Sequence, residues 1–287
     1  MLAQKVEGIL QSVAGLRPMP ANVTRILREI DKSDVSIGML SDFISLDQAL
    51  AAQVLQMSNS ASLGCARTCS TLYEAIMQVG LGRLKTILLA SPAANMMNRS
   101  LRGYRFGEGE LWHHSLVTAV ASEWLAQALR YPNPEEAYVS GLLHDIGKLF
   151  LDQFVLSNYS RIVEYVERYR MQLWQVEEKL LGIDHARLGG RIAERWNFPV
   201  PLVDAIRFHH YPSFARVNPQ LPAVVNIANS FAADYQPVNA NLGLFSFQVH
   251  PESLNILKLD AAKLEKLKTG MRSSGLFPHG STGEKSP

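Results

Sequence analysis

Apolar residues recur three and four positions apart in segment after segment of this chain, and a strand-like alternation is almost absent. The stretches ANVTRILREID, SIGMLSDFISLDQALAAQVLQMSNSA, TLYEAIMQVGLGRLKTILLASPAANMM and LWHHSLVTAVASEWLAQALR read this way. So do NPEEAYVSGLLHDIGKLFLDQF, YSRIVEYVERYRMQLWQVEEKLL, DHARLGGRIAERW, PVPLVDAIRFHH and PAVVNIANSFAADY. Each carries an apolar stripe that is stable only when buried, so the pattern predicts an all-α protein built by packing amphipathic helices. Breakers punctuate the series. RPMPAN leads into a helix, and Ser33 and Asp34 in KSDVS offer an N-cap region. In RYPNPEE, Pro134 suits a first helical turn, and Glu135 and Glu136 favour the positive end of the helix dipole. NFPVP and HHYPSF each stop a helix, and the Ser-, Gly- and Pro-rich end RSSGLFPHGSTGEKSP is expected to stand outside the fold.

Composition changes near residue 100. All eight histidines come after it and none before. Two helical lobes are therefore expected, residues 1–98 and 99–250, with MMNRSLRGYRFGEGE as the connection. Residues 251–287 are expected to form a C-terminal helix and tail, and no internal repeat is visible.

Charge and hydropathy narrow the function. The chain has 287 residues, with 28 basic against 26 acidic side chains and a net charge of +2. Bulk electrostatics thus gives no reason to expect nucleic acid. No run of about 18 uncharged apolar residues is present, so no membrane-spanning helix is expected. The N-terminal stretch MLAQKVEGILQSV is amphipathic and lacks the features of a secretory signal, which places the protein in the cytoplasm. The two cysteines, Cys65 and Cys69, lack the second ligand pair of a zinc ribbon and read as reduced thiols.

The histidines are where chemistry concentrates. With His250 in an expected loop and His279 in the tail set aside, six remain on four helical segments: His113, His114, His144, His185, His209 and His210. Asp145 accompanies them in SGLLHDIGKLF. A single histidine on a helix face is more often a hydrogen-bonded core or surface residue than a ligand. Six with an aspartate in one lobe make independent placement less plausible, and imidazole with carboxylate suits iron, manganese, nickel or zinc. Neighbours on a helix point about 100° apart, so His144 and Asp145 reach either one centre or two adjacent ones, and the two oxygens of Asp145 could bridge two ions. Lys148, three residues on, either neutralises Asp145 or binds a phosphate oxygen. Gly147 would let another helix or a ligand come close to the backbone.

LWHHSLVTA, SGLLHDIGKLFL, DHARLGGRIAERWNFP and AIRFHH resemble, in order, the motifs of the HD superfamily of metal-dependent phosphohydrolases. LRPMPANVTRILREI, SDFISLDQALAAQVLQMSNSASLG and STLYEAIMQVGLGRLKTILL narrow the likeness to the HDOD domain, the HD-related output domain of bacterial signalling proteins. The resemblance runs from about Leu16 to Asp234. It implies an N-terminal helical bundle packed on an HD-type helical core. It also implies a bacterial regulator that works beside two-component and cyclic-dinucleotide signalling. Residue by residue, His114 rather than His113 matches the first superfamily histidine, and His144 and Asp145 match the name-giving pair. Lys148 matches the lysine that follows, and His185, His209 and His210 match the extra histidines of the HD-GYP phosphodiesterases. Two departures count against HD-GYP-like activity: YPSFARVNPQ after His210 lacks the Gly-Tyr-Pro signature, and Asn229 stands where the superfamily places its last metal-binding aspartate. A neutral amide attracts a dication less than a carboxylate does. The resemblance thus implies a divalent transition metal, iron or manganese first and nickel or zinc otherwise, with one firm position at Asp145, His185, His209 and His210. The second position, His114, His144, Asp145 and Asn229, is the weak one.

Two functions follow. The first is a signalling output module that binds metal in a partly degenerate HD site and acts through a protein partner. The alternative is a metal-dependent phosphohydrolase or phosphodiesterase acting on a nucleotide or cyclic dinucleotide. There Asp145 would hold the metal, and Lys148 would stabilise charge on a phosphate-containing substrate. Elsewhere, Asn59 and Ser60 in SNSASLG are expected to serve a polar break between helices, and Asp47 a helix start. Met57, Met77, Trp112 and Trp174 are expected in the core. Gly80 and Gly82 do not form a phosphate loop, because the Lys-Ser/Thr ending is absent.

Overall fold

The computed structural model describes residues 2–16, 18–59, 68–235 and 248–276. Ser60, Cys65, His279 and the tail beyond residue 276 lie outside the described residues, as does the side chain of Met57. Among the described residues the chain is helical throughout. The first half forms α1 (Leu2–Ala14), α2 (Ala21–Ile30), α3 (Ile37–Ser45), α4 (Gln48–Ser58), α5 (Leu72–Met97) and α6 (Glu110–Ala128). The chain continues with α7 (Pro134–Leu143), α8 (Lys148–Ser157), α9 (Tyr159–Tyr169), α10 (Leu173–Leu181), α11 (His185–Arg195), α12 (Val200–Phe208) and α13 (Gln220–Ala232). Beyond α13 come α14 (Pro251–Leu257) and α15 (Ala261–Ser273). The sole β-type pairing among the described residues is an isolated bridge between Leu101 and Phe106.

The chain divides into two compact units, Arg17–Asn95 and a larger one made of Met1–Leu16 with Met96–Pro287. In the smaller unit, α2 packs on α3 and α3 on α4, burying Val23, Ile26, Leu40, Ile44 and Val54. The cap of α3 falls on Ser36, whose Oγ accepts from the Met39 amide at 3.5 Å, rather than on Ser33 or Asp34. Asp47 Oδ1 accepts from the Leu50 amide at the start of α4. Asn59 exchanges two hydrogen bonds with the Cys69 backbone, at 3.0 and 2.8 Å, and Cys69 is buried. Helix α5 is broken at Gly80, where φ of +77° is a conformation that L side chains rarely adopt. Met77, one turn before that break, is 57% exposed and so is not core.

In the larger unit, α6 is central. Residues 114–126 of α6 are buried on nearly every side, including the small side chains Ala119, Ala121, Ser122 and Ala126. Such small residues let α7 and α13 pack closely on α6. Helix α12 packs in turn on α7, α11 and α13. Helix α1 buries Ile9 and Val13 and packs on α8, α10 and α11. At the other end, Leu264, Leu267 and Met271 of α15 pack against a cluster that contains Leu125, Ile227 and Phe231. Asp234, just beyond α13, pairs with Arg272 at 2.5 Å and Lys268 at 3.1 Å on α15.

Candidate metal centre

The HD motif is not mid-helix. Residues 133–154 read as one helical run, but α7 ends at Leu143 and α8 starts at Lys148, so His144 and Asp145 sit on the turn between them. Three-residue hydrogen bonds hold that turn, Ile146 N to Leu143 O at 3.1 Å and Lys148 N to Asp145 O at 2.9 Å. The tightening keeps φ and ψ in the α region, −54° and −36° at His144, so the apolar rhythm passes through unbroken. His185 opens α11, and His209 and His210 follow the last residue of α12. His114 stands in the interior of α6, next to His113.

Helix ends carry carbonyls without intrahelical partners, and two of them fix the site. The Nδ1 of His144 donates to Gly141 O at 2.7 Å, and that of His209 to Ile206 O at 2.9 Å. A carbonyl only accepts, so the proton must be on Nδ1 and each Nε2 carries a lone pair. Both Nε2 atoms are buried without a hydrogen-bond partner. Their rings are adjacent, with centroids 5.0 Å apart. His114 lies 5.3 Å from His144 on one side, and His185 lies 5.6 Å from His209 on the other.

Asp145 stands between the two groups. Its Oδ2 faces His114 Nε2 at 3.5 Å and His144 Nε2 at 3.4 Å, and its Oδ1 faces His185 Nε2 at 3.1 Å. Two triads of donors result, His114 with His144 and Asp145, and His185 with His209 and His210; within each the ligand atoms lie within 4.8 Å of one another. His210 Nε2 is 3.0 Å from His185 Nε2. Its ring stacks on Trp174 at 5.4 Å, and it is the one partly exposed member of the set. His113 is exposed and turns to Tyr235 O at 3.3 Å, away from the cluster. His250 caps α14, its Nδ1 accepting from the Glu252 amide. Asn229 is buried on α13, and its Oδ1 lacks a hydrogen-bond partner.

Burial pushes most of these imidazoles toward the neutral form. His144 falls to about 3, with burial first and Asp145 opposing it. Burial likewise lowers His114, and lowers His209 and His210 well below the ordinary range. His185 goes the other way: burial disfavours its charge, but Glu177 and Asp145 prevail and raise it to about 9. Burial also pushes Asp145 up, yet His144 and Lys148 hold its carboxyl well below the usual range. The pocket thus combines an ionised carboxylate, neutral imidazole lone pairs and a strong preference for positive charge at its centre. That donor set fits a divalent cation.

Two residues absent from the sequence reading complete the site. Glu177, fully buried on α10, accepts from His185 Nδ1 at 2.6 Å and from the His185 amide at 2.9 Å. A carboxylate behind a histidine fixes its tautomer and raises its basicity. Tyr104 donates to the other Glu177 oxygen at 2.7 Å. Its signal was an aromatic in the polar stretch MMNRSLRGYRFGEGE, which is therefore more than a connection. The signal for Glu177 was an acid in register with Leu173, Leu180 and Leu181 on an apolar face. Lys148 is 2% exposed and donates to Asp145 Oδ2 at 2.5 Å. The rings of Tyr104 and Phe106 lie 5.8 and 5.9 Å from its Nζ.

A family model for the HDOD domain matches residues 16–212. Among solved structures, the chain is similar to an HDOD domain protein of unknown function from Geobacter sulfurreducens, 25% identical, with a TM-score of 0.70 over 96% of this chain and 97% of that one. It is also similar to a provisionally named phosphohydrolase from Shewanella amazonensis SB2B, 25% identical, with a TM-score of 0.69 over 93% and 95%. A protein of Treponema pallidum (strain Nichols), described as uncharacterized, is 27% identical over 203 residues. That match takes in 70% of this chain but only 39% of the Treponema protein. No helix among the described residues is long and apolar enough to cross a membrane.

Proposed function

This chain belongs to the HDOD domain family, and from that premise we propose that it is a bacterial signalling output module organised around a bound divalent metal. In this reading it acts on a protein partner rather than on a substrate. The firm metal position is made by His185, His209, His210 and Asp145, and iron or manganese is the preferred ion. The weak position is made by His114, His144, Asp145 and Asn229. Bound there, a divalent ion supplies charge neutralisation and a fixed crosslink between helix ends that are distant in sequence. The chain's own part is to hold the imidazoles in the right tautomer through Gly141 O, Ile206 O and Glu177.

One observation carries the choice of a structural over a hydrolytic metal: the donors are enclosed. His144, Asp145 and His209 have no exposed surface, and His114 and His185 have 3% or less. Lys148, the cation that would meet a phosphate, is itself buried and committed to Asp145. Phosphoryl transfer needs a substrate and an attacking water in line at the ion, and among the described donors His210 alone is partly exposed.

The test is metal content of the anaerobically purified chain beside Asp145→Ala and His209→Ala, together with hydrolysis assays on cyclic dinucleotides and nucleotides with iron or manganese supplied. The expected result is stoichiometric transition metal in the parent, loss of it in both variants, and no turnover. A metal-free parent overturns the reading. Turnover abolished by Asp145→Ala replaces it with the phosphohydrolase alternative. Capture of a signalling protein from the native host by the parent, and not by Asp145→Ala, would identify the partner.

A further inference from the structure

We propose that Lys148 is the resident cation of the His114–His144 half of the centre, so that the chain holds one divalent ion on His185, His209, His210 and Asp145 Oδ1 instead of a pair. The inference rests on the reading that the centre binds a divalent metal, and it names what fills the second position. Asp145 presents one oxygen to each triad, an arrangement that by itself suits a bridged pair of ions. The oxygen on the His114–His144 side is already taken. Lys148 Nζ lies 2.5 Å from Oδ2, nearer than either imidazole on that side.

The lysine is held close to Asp145. It leaves the same turn three residues after Asp145, its side chain is 2% exposed, and Tyr104 and Phe106 flank its Nζ. Tyr104 is in turn tied to Glu177. A dication on the same oxygen would meet an ammonium group at a buried site, where the repulsion is screened far less than in bulk solvent. Apart from that shared oxygen, this half offers the imidazoles of His114 and His144 and the amide of Asn229, and among the described residues its donor set holds no second carboxylate.

The opposite half is built the other way. Glu177 stands behind His185 with two hydrogen bonds to it, adding a negative charge where Asp145 Oδ1 faces the ring. The two halves therefore differ in charge as well as in donors: a carboxylate backs one, and an ammonium occupies the other. Such a gradient draws an incoming cation to the His185 side. Lys148 is a positioning residue in this scheme. It keeps Asp145 oriented and neutralised with one proton-bearing group where a second metal would sit.

Manganese(II) is the probe, because an isolated ion and a coupled pair have different electron paramagnetic resonance spectra. The full chain, Lys148→Met, Lys148→Gln and Lys148→Arg would be saturated with manganese, desalted, and analysed for metal per chain and for spectrum. The expected result is one ion with the isolated-ion spectrum in the parent and in Lys148→Arg. In Lys148→Met and Lys148→Gln a second ion enters and the coupled spectrum appears. Lys148→Gln keeps a hydrogen-bond donor for Asp145 Oδ2 and is the fallback should the methionine variant misfold. Two ions in the parent overturn the assignment of Lys148 while leaving the metal reading intact, as does a single ion in folded Lys148→Gln. An absence of metal from the parent overturns both.

Discussion

Replacing Gly147 by alanine isolates the contact that lets α11 reach the centre. A Cβ there would lie 2.0 Å from His185 O, 2.8 Å from His185 C and 2.9 Å from Gly189 N, all of them backbone atoms, where ordinary contact begins at 3.4 Å. No rotamer relieves such a clash, so α11 must withdraw by about 1.4 Å to restore contact distance. Overpacking of a buried site costs about 1–3 kcal/mol, and an obstacle made of backbone belongs at the upper end, near 3 kcal/mol. At roughly 2–4 °C per kcal/mol for a chain of this order of size, the melting temperature should fall by about 6–12 °C. The same withdrawal carries His185 Nε2 away from Asp145 Oδ1, now 3.1 Å distant. Metal sites tolerate about 0.5 Å of misplacement, so manganese affinity should drop tenfold or more. Thermal unfolding in excess chelator reads the packing cost alone, and competition with a chromophoric chelator reads the affinity. Gly8→Ala is the control, since its Cβ would meet nothing within 4 Å and it lies inside α1. It should be neutral or more stable by up to about 1 kcal/mol. A Gly147→Ala protein with parental melting temperature and parental affinity would refute the idea that this glycine sets the approach of α11.

Other expectations follow from the same site and its surroundings. Glu177→Gln keeps the shape but removes the charge behind His185, so manganese should bind about 10–100-fold more weakly; unchanged competition titrations would count against that role. Chelation of the loaded parent should lower its melting temperature by about 5–10 °C, because metal at a hundredfold excess over its Kd contributes about 2.7 kcal/mol, and Asp145→Ala should show no such shift. On the surface, the Arg207 guanidinium beside Glu194 holds that carboxyl below its ordinary 4.5. The stability from this pair is therefore fully present above pH 4.5 and is lost as pH falls through the lowered folded-state value. Denaturation midpoints of Glu194→Gln should decline less steeply with acid than those of the parent, and identical acid limbs would exclude the pair as a contributor.

The helices were legible in the sequence because burial of one face leaves a three-and-four rhythm that no turn imitates for long. That rhythm has a blind spot at residues 144–147. There the chain leaves α7 through three-residue hydrogen bonds while keeping α-like dihedrals, so Leu143, Ile146 and Leu149 stay in step across a break. Caps were less legible, since Ser33, Asp34 and Ser36 offer the same chemistry within four residues and only the entry angle of the chain selects Ser36. Met77 was misread because its spacing fits the apolar pattern of α5, whereas Gly80 turns the helix just beyond it. Isolated side chains such as Asp234 gave no hint of partners on α15, 34–38 residues away in sequence.

The centre shows the same division more sharply. Donor identity is a property of sequence, and every histidine singled out by motif except His113 faces the cluster. Donor direction is a property of packing. For His144 and His209 it is imposed by a carbonyl three residues back, left over at the end of a helix. For His185 it is imposed by Glu177, eight residues earlier on another helix. An isolated imidazole in water exchanges tautomers freely, so none of these lone pairs is aimed until the helix ends form. The cost of aiming them is met during folding, before any cation arrives, because the carbonyls and Glu177 need those protons as much as the rings need the partners. In the proposed reading a cation would meet His144, His185 and His209 with their tautomers already set, and charge would decide where it binds. On that point Asp145, Glu177 and Lys148 divide the pocket into an attractive and a filled half.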